Sequence, residues 1–141
     1  MIRAVLDANV FISAALKPQG PPGQLTARFL SASAFALVIA PAIIDEVARV
    51  LDYPKIRRLV DRERTRLWFE EMVLLADLVP GDIVVSGVCE DPDDDKYLAA
   101  AIEGRAAFVV TGDRLLLAVG KHEGVRVVKP RAFLTLLDAS R

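Results

Sequence analysis

The sequence predicts a single α/β domain built on a parallel sheet with helices on both faces. Three observations predict it: 141 residues with 53% apolar content, short apolar runs bounded by turn residues, and helix-period segments lying between those runs. The length and apolar fraction suit one packed core, so residues 1 to 141 are expected to form one domain. Apolar runs too short for a helix read as strands covered on both faces, which is the pattern of a parallel sheet. Alternation of such strands with helices implies βαβ units with right-handed crossovers.

In order, the strands fall at residues 4 to 6, 35 to 40, 83 to 85, 107 to 110 and 125 to 128. The third has a rival at 76 to 79, on the other side of the turn at Pro80-Gly81. Residues 17 to 23, rich in Pro and Gly, read as a surface loop before a helix carrying Leu25, Phe29 and Leu30. Pro41 opens the helix after the second strand, and Leu67, Trp68, Met72 and Leu75 set the apolar face of the following one. Leu98, Ala99 and Ile102 mark the helix before the fourth strand. The chain contains no internal repeat, low-complexity tract or heptad pattern.

Eighteen basic and 19 acidic side chains leave a net charge of −1, so the molecule as a whole lacks the positive field common among nucleic-acid binders. Any polyanion must be met locally. Lys55, Arg57, Arg58, Arg62, Arg64 and Arg66 form the one basic concentration, diluted by Asp61 and Glu63. It reads either as a solvated helix face or as a contact for RNA or a partner. Cys89 is the only cysteine, which excludes an internal disulfide, and with no His or Cys at ligand spacing it reads as a small buried hydrophobe. His122 reads as an exposed loop histidine. The first residues do not resemble a signal peptide and no uncharged apolar run reaches membrane-spanning length, so a cytoplasmic protein is expected.

In a parallel α/β sheet, ligand sites form outside the carboxyl ends of the strands. Those places are acidic here: Asp7 ends the first strand, Asp45 and Glu46 lie one turn into the helix opened by Pro41, Glu90-Asp91-Pro92-Asp93-Asp94-Asp95 leads into another helix, and Thr111-Gly112-Asp113 follows the fourth strand. Each has an ordinary reading as a turn or cap residue, a solvent-facing charge, or favourable charge at a helix N-terminus. Four at one edge are different, because carboxylates packed together need protons or a cation to offset their repulsion. An all-oxygen donor set suits Mg²⁺ or Mn²⁺ better than zinc. An EF-hand is excluded, since counting from Asp91 puts Lys96 where that loop needs glycine and Ile102 where it needs glutamate. A hard ion among carboxylates points to activation of water against a phosphodiester.

The segments that carry these acids resemble the PIN domain family, in particular its toxin-like VapC ribonuclease branch. Leu6-Asp7-Ala8-Asn9-Val10-Phe11-Ile12-Ser13 resembles the opening motif, and Pro41-Ala42-Ile43-Ile44-Asp45-Glu46-Val47 the second, which selects Glu46 over Asp45. Asp91-Pro92-Asp93-Asp94-Asp95-Lys96-Tyr97-Leu98-Ala99-Ala100-Ala101 resembles the third, with the acid at Asp95, and Val110-Thr111-Gly112-Asp113 the fourth. The resemblance spans residues 2 to about 134. It implies a doubly wound three-layer sandwich of about five strands in the order 3-2-1-4-5. It further implies an endoribonuclease whose Asp7, Glu46, Asp95 and Asp113 hold Mg²⁺ or Mn²⁺, with Asn9 and Thr111 in support and Asp91 and Asp94 nearby without an assigned role. A small antitoxin partner and a homodimer are implied as well. Lys55, Arg57, Arg58 and Arg62 are the candidate contacts for RNA or that partner.

Two other classes compete. A receiver-like phosphoacceptor would also place a threonine after the fourth strand and Lys-Pro after the fifth, but it needs two acids after the first strand and one after the third. A binding module without catalysis would keep the fold and leave the acids without metal.

Overall fold

Ala4, Val5 and Leu6 are 0%, 0% and 1% exposed, as expected of apolar side chains that leave a strand in both directions and meet packed layers each way. The structure, a computed structural model, describes residues 1–140 and places this strand, β1 (Arg3–Leu6), at the middle of the sheet. On one side β1 pairs in parallel with β2 (Ala36–Ile39), and β2 with β3 (Asp77–Leu78). On the other it pairs in parallel with β4 (Phe108–Val110), and β4 with β6 (Val125–Val128). A short strand β5 (Lys121–His122) adds antiparallel to β6, giving the order β3-β2-β1-β4-β6-β5. The five parallel strands thus reproduce the expected 3-2-1-4-5 arrangement, with one extra edge strand.

That extra strand corrects the reading of residues 120 to 124 as a plain loop. Lys121 and His122 pair with Arg126 and Val125 across a two-residue turn in which Glu123 and Gly124 both have positive φ, 47° and 81°. Two central residues of that hand match the twist of a hairpin. His122 is consequently half-buried, with its Nε2 3.5 Å from the Glu123 carboxylate, instead of exposed in a loop.

A second correction concerns the third strand. Residues 83 to 85 form no strand, and Val84 is 86% exposed. Pairing falls before the Pro80-Gly81 turn, where Asp77 and Leu78 lie opposite Val38 and Ile39 and the Val79 N–H continues to the Ile39 carbonyl at 2.9 Å. Both oxygens of Glu103 accept from the Gly81 and Asp82 N–H groups and so fasten the chain that leaves this edge.

The helices are α1 (Ala8–Leu16), α2 (Pro21–Ala32), α3 (Pro41–Leu51), α4 (Pro54–Arg57), α5 (Arg62–Leu75), α6 (Asp95–Glu103), α7 (Arg114–Leu117) and α8 (Pro130–Ala139). Proline opens α2, α3, α4 and α8 at the position where its missing N–H would have no helical partner. Phe29, Phe35, Phe133 and Phe108 form a chain of ring contacts that joins α2, the entry to β2, α8 and β4. Phe11 meets Phe69 edge to face and ties α1 to α5. On α5 the buried residues are Phe69 and Met72, whereas Leu67 and Leu75 are 53% and 57% exposed. The inner face of α5 is thus set by Phe69 and Met72, with Trp68 half-buried beside them, and lies part of a turn away from the face that Leu67 and Leu75 suggest.

Helix α6 packs on β1, β2, β4 and β6 and brings the acidic run to the sheet edge. The approach is close at Gly104, where a Cβ would lie 2.4 Å from a methyl of Val38. No larger residue fits there without displacing the helix from the sheet. Among the described residues, no helix is long and apolar enough to cross a membrane.

Candidate active site

Asp7 follows β1 directly and is 3% exposed. Its backbone N–H continues the ladder to the Val110 carbonyl at 2.9 Å, which fixes the main chain at the carboxyl end of the sheet. Its Oδ1 accepts from the Asn9 N–H at 3.1 Å, capping α1. Its Oδ2 accepts from the Thr111 hydroxyl at 2.6 Å. Thr111 is wholly buried and in turn accepts from the Asp113 N–H at 3.0 Å, so one hydroxyl links the first and fourth acidic positions. Asp113 also caps α7 by accepting from the Leu115 N–H at 3.0 Å, the ordinary role that its place after β4 allows. Burial raises the Asp7 pKa above the usual carboxylate range; hydrogen bonds from Thr111, Asn9 and Tyr97 oppose the shift and the Glu46 charge adds to it.

Glu46 is half-buried on α3, while the adjacent Asp45 is exposed, as their difference of about 100° around the helix requires. The Tyr97 hydroxyl donates to Glu46 Oε1, and Lys96 Nζ lies 2.8 Å from that same oxygen. Tyr97 is 1% exposed, and its hydroxyl also accepts from the Ala8 N–H at 3.2 Å. Burial and then the anions Asp7 and Glu46 raise its pKa, so the phenol stays protonated and donates. Lys96 completes its surroundings with Asp93 at 3.0 Å. Burial alone would lower the Lys96 pKa, but the bonds to Glu46 and Asp93 outweigh it and keep the ammonium charged. Neither Lys96 nor Tyr97 stood out in the sequence as a site residue. Both lie in the stretch that resembles the third family motif, and Lys96 otherwise figures only where an EF-hand would need glycine.

The run itself divides into distinct roles. Asp91 accepts from the Asp93 N–H at 3.0 Å and caps a 3-10 turn, Pro92–Asp94. Asp95, 3% exposed, accepts from the Cys89 N–H at 2.7 Å and fastens the preceding loop. The Cys89 thiol is pushed up to about 12 by burial and then by Asp95, which leaves it an inert, buried group. Asp94 is the residue turned towards the other acids. Its Oδ2 is shut off from solvent and has no hydrogen-bond partner. Its pKa is raised to about 7, by burial first and then by the charges of Asp7, Asp113 and Asp91, with Lys96 opposing. Adjacent residues at a helix start diverge, so Asp95 meets the Cys89 N–H while Asp94 feels the charges of Asp7 and Asp113.

Among the described residues, no three His, Cys, Asp or Glu side chains already stand grouped to hold a metal ion. The donors nonetheless fit a hard ion that binds through one or two carboxylates and keeps much of its water. All are oxygen, and the partnerless Asp94 oxygen lacks the counter-charge that such an ion supplies. The basic residues Lys55, Arg57, Arg58 and Arg62 are exposed on α4, at its C-cap and at the start of α5, with Arg57 and Arg62 facing Asp52 at 4.0 and 3.2 Å. They do not form one helix face, since α4 ends at Arg57 and α5 begins at Arg62.

The sheet order and the acidic edge define an α/β protein with a carboxylate site at the carboxyl ends of its central strands. The family model for the PIN domain matches residues 3–115, and the chain belongs to that family, whose members are generally nucleases. It is 29% identical over 118 residues to the uncharacterized protein MJ1680 of Methanocaldococcus jannaschii, covering 84% of this chain and 75% of that one. Among solved structures it resembles PAE2754 from Pyrobaculum aerophilum, with a TM-score of 0.65 at 16% identity over 98% of this chain and 90% of that one. It also resembles VapBC2 from Rickettsia felis, bound to a DNA fragment from their promoter, with a TM-score of 0.59 at 11% identity over 91% and 98% of the two chains. At these identities the two structures speak to the fold.

Proposed function

We propose that the chain is a Mg²⁺- or Mn²⁺-dependent endoribonuclease that hydrolyses RNA phosphodiester bonds and acts as the toxin of a toxin–antitoxin pair. The observation that carries this reading is the buried, partnerless oxygen of Asp94, set where the charges of Asp7 and Asp113 reach it. Such an arrangement is unfavourable by itself and is relieved by a divalent cation. Asp7, Glu46, Asp94 and Asp113 are the residues assigned to hold it. Asp95, the acid expected from the family motif, is assigned to the loop behind them because one of its oxygens is committed to Cys89 N–H.

A bound divalent ion supplies Lewis acidity at the phosphate and lowers the pKa of a water. The chain's own part is to hold geometry. Thr111 fixes the rotamer of Asp7, Tyr97 ties Glu46 to the chain beside Asp7, Lys96 pairs with Glu46 as its counter-charge, and Asn9 contributes its backbone N–H. In the hydrolysis the water would give up a proton as its oxygen bonds to phosphorus, the P–O ester bond would break, and the departing oxygen would take up a proton. Exposed Lys55, Arg57, Arg58 and Arg62 are assigned to RNA or to the antitoxin, since a carboxylate site repels the backbone it must approach. An antitoxin partner belongs to the same reading, supported by family membership and by the fold likeness to VapBC2, and a homodimer and a cytoplasmic location are proposed with it.

The test compares Glu46→Gln with Asp45→Asn on single-stranded RNA in Mn²⁺. The Glu46 variant loses orders of magnitude in rate and the Asp45 variant is close to wild type. Equal rates for all three proteins would remove Glu46 from the site.

A further inference from the structure

Glu46 is held by two neighbours on α6 at once. The Tyr97 hydroxyl and Lys96 Nζ both meet Oε1, which leaves the other oxygen for a ligand. The two contacts differ in kind. Tyr97 is 1% exposed and its hydroxyl bridges from the Ala8 N–H, one residue past Asp7, so it ties the position of Glu46 on α3 to the end of β1. Lys96 is a full positive charge with a side chain only 19% exposed, seated between Glu46 and Asp93 and lying over the Tyr97 ring at 5.1 Å from its centroid. A cation in that place does what a divalent ion would do for Glu46, and it repels such an ion.

We infer that Tyr97 and Lys96 are positioning residues with opposed effects on the metal site: Tyr97 presets Glu46 for a divalent cation, and Lys96 is the resident counter-charge that the cation must work against. The inference rests on the proposed carboxylate metal site. It concerns the chain's own side chains, and metal affinity reads it without any nuclease assay.

The experiment is Mn²⁺ titration calorimetry on the whole protein with Lys96→Met, Lys96→Arg and Tyr97→Phe. Lys96→Met is expected to tighten Mn²⁺ binding by about five- to twenty-fold, because a partly buried like charge is removed a few ångströms away. Lys96→Arg keeps the charge and stays close to wild type. Tyr97→Phe keeps the ring and weakens Mn²⁺ by about tenfold, because Glu46 loses its tether. A purely structural role would move both affinities the same way or not at all, and either result overturns the inference. A Lys96→Met, Glu46→Gln double-mutant cycle of thermal midpoints in chelator decides the contact separately from the metal. Additive midpoints there overturn the inference even if Mn²⁺ binds. If wild type binds no Mn²⁺, the metal reading falls and takes the opposed roles with it, while non-additive midpoints still keep Lys96 as the residue that holds Glu46.

Discussion

The Thr111 hydroxyl donates to Asp7 Oδ2 at 2.6 Å while accepting from the Asp113 N–H at 3.0 Å. A wholly buried threonine after β4 therefore sets the rotamer of the acid after β1 and the backbone that carries the acid after itself. Parallel pairing of β1 with β4 places these strand ends side by side, so the contact follows from the topology.

Thr111→Val keeps the volume and removes the hydroxyl. It leaves a buried carboxylate oxygen and the Asp113 N–H each without a partner, which is expected to destabilise the protein by about 2 kcal/mol. Chemical denaturation checks it. A midpoint equal to wild type would mean that water replaces the hydroxyl without loss.

Asp94 and Asp95 are adjacent and separable. Asp94→Asn is expected to abolish tight Mn²⁺ binding with the fold retained or firmer, since it removes a charge whose buried oxygen has no partner. Asp95→Ala is expected to lower stability by about 2 kcal/mol through the lost acceptor for Cys89 N–H. Thermal melts and Mn²⁺ titrations on both variants give the answer. The account fails here if Asp95→Ala spares stability while Asp94→Asn lowers it sharply.

Stability should depend on pH in a definite direction. The Asp94 pKa is raised from its ordinary 3.8 to about 7, and that of Asp7 is raised as well. Between those values the folded protein keeps a proton that the unfolded chain releases. The contribution to stability is therefore full below about pH 3.8 and is lost as pH rises through about 7. Subtracting the Asp94→Asn profile from that of wild type in metal-free buffer isolates this decline, and a flat difference would contradict it.

How much of this was legible beforehand depends on the length of each signal. The runs at 4 to 6 and 125 to 128 have nothing nearby to compete and fall within a residue of β1 and β6, although β6 exposes Arg126 and is covered chiefly on one face. β3 lies inside the candidate run at 76 to 79, but a two-residue edge strand with both side chains exposed marks itself weakly, and the apolar residues 83 to 85 compete with it. The acidic edge could be read because strand ends are fixed by topology. The acidic run reads with Asp95 as the family acid and Asp94 without a role, and that Asp95 meets the Cys89 N–H is a contact that no local pattern marks. The bond from Tyr97 to Glu46 spans 51 residues and follows no local pattern.

The basic residues give a further test. Replacing Arg57, Arg58 and Arg62 with Gln breaks only exposed pairs to Asp52, so stability should change by less than about 0.5 kcal/mol. RNA affinity should fall similarly for all sequences, and its salt dependence should flatten. Filter binding across a salt series reads both. Unchanged affinity and slope would take these arginines out of RNA binding, and co-purification with a candidate antitoxin would then show whether they serve that partner.

The most direct measurement is cleavage of an end-labelled RNA by wild type and Asp7→Asn, each in Mn²⁺ and in chelator. Asp7 lies at the meeting point of β1, Thr111 and the other acids, and the substitution removes charge with little change in volume. The account predicts internal cleavage by wild type in Mn²⁺ only, and none by a folded Asp7→Asn. Cleavage that persists in chelator, or in the folded variant, would contradict it.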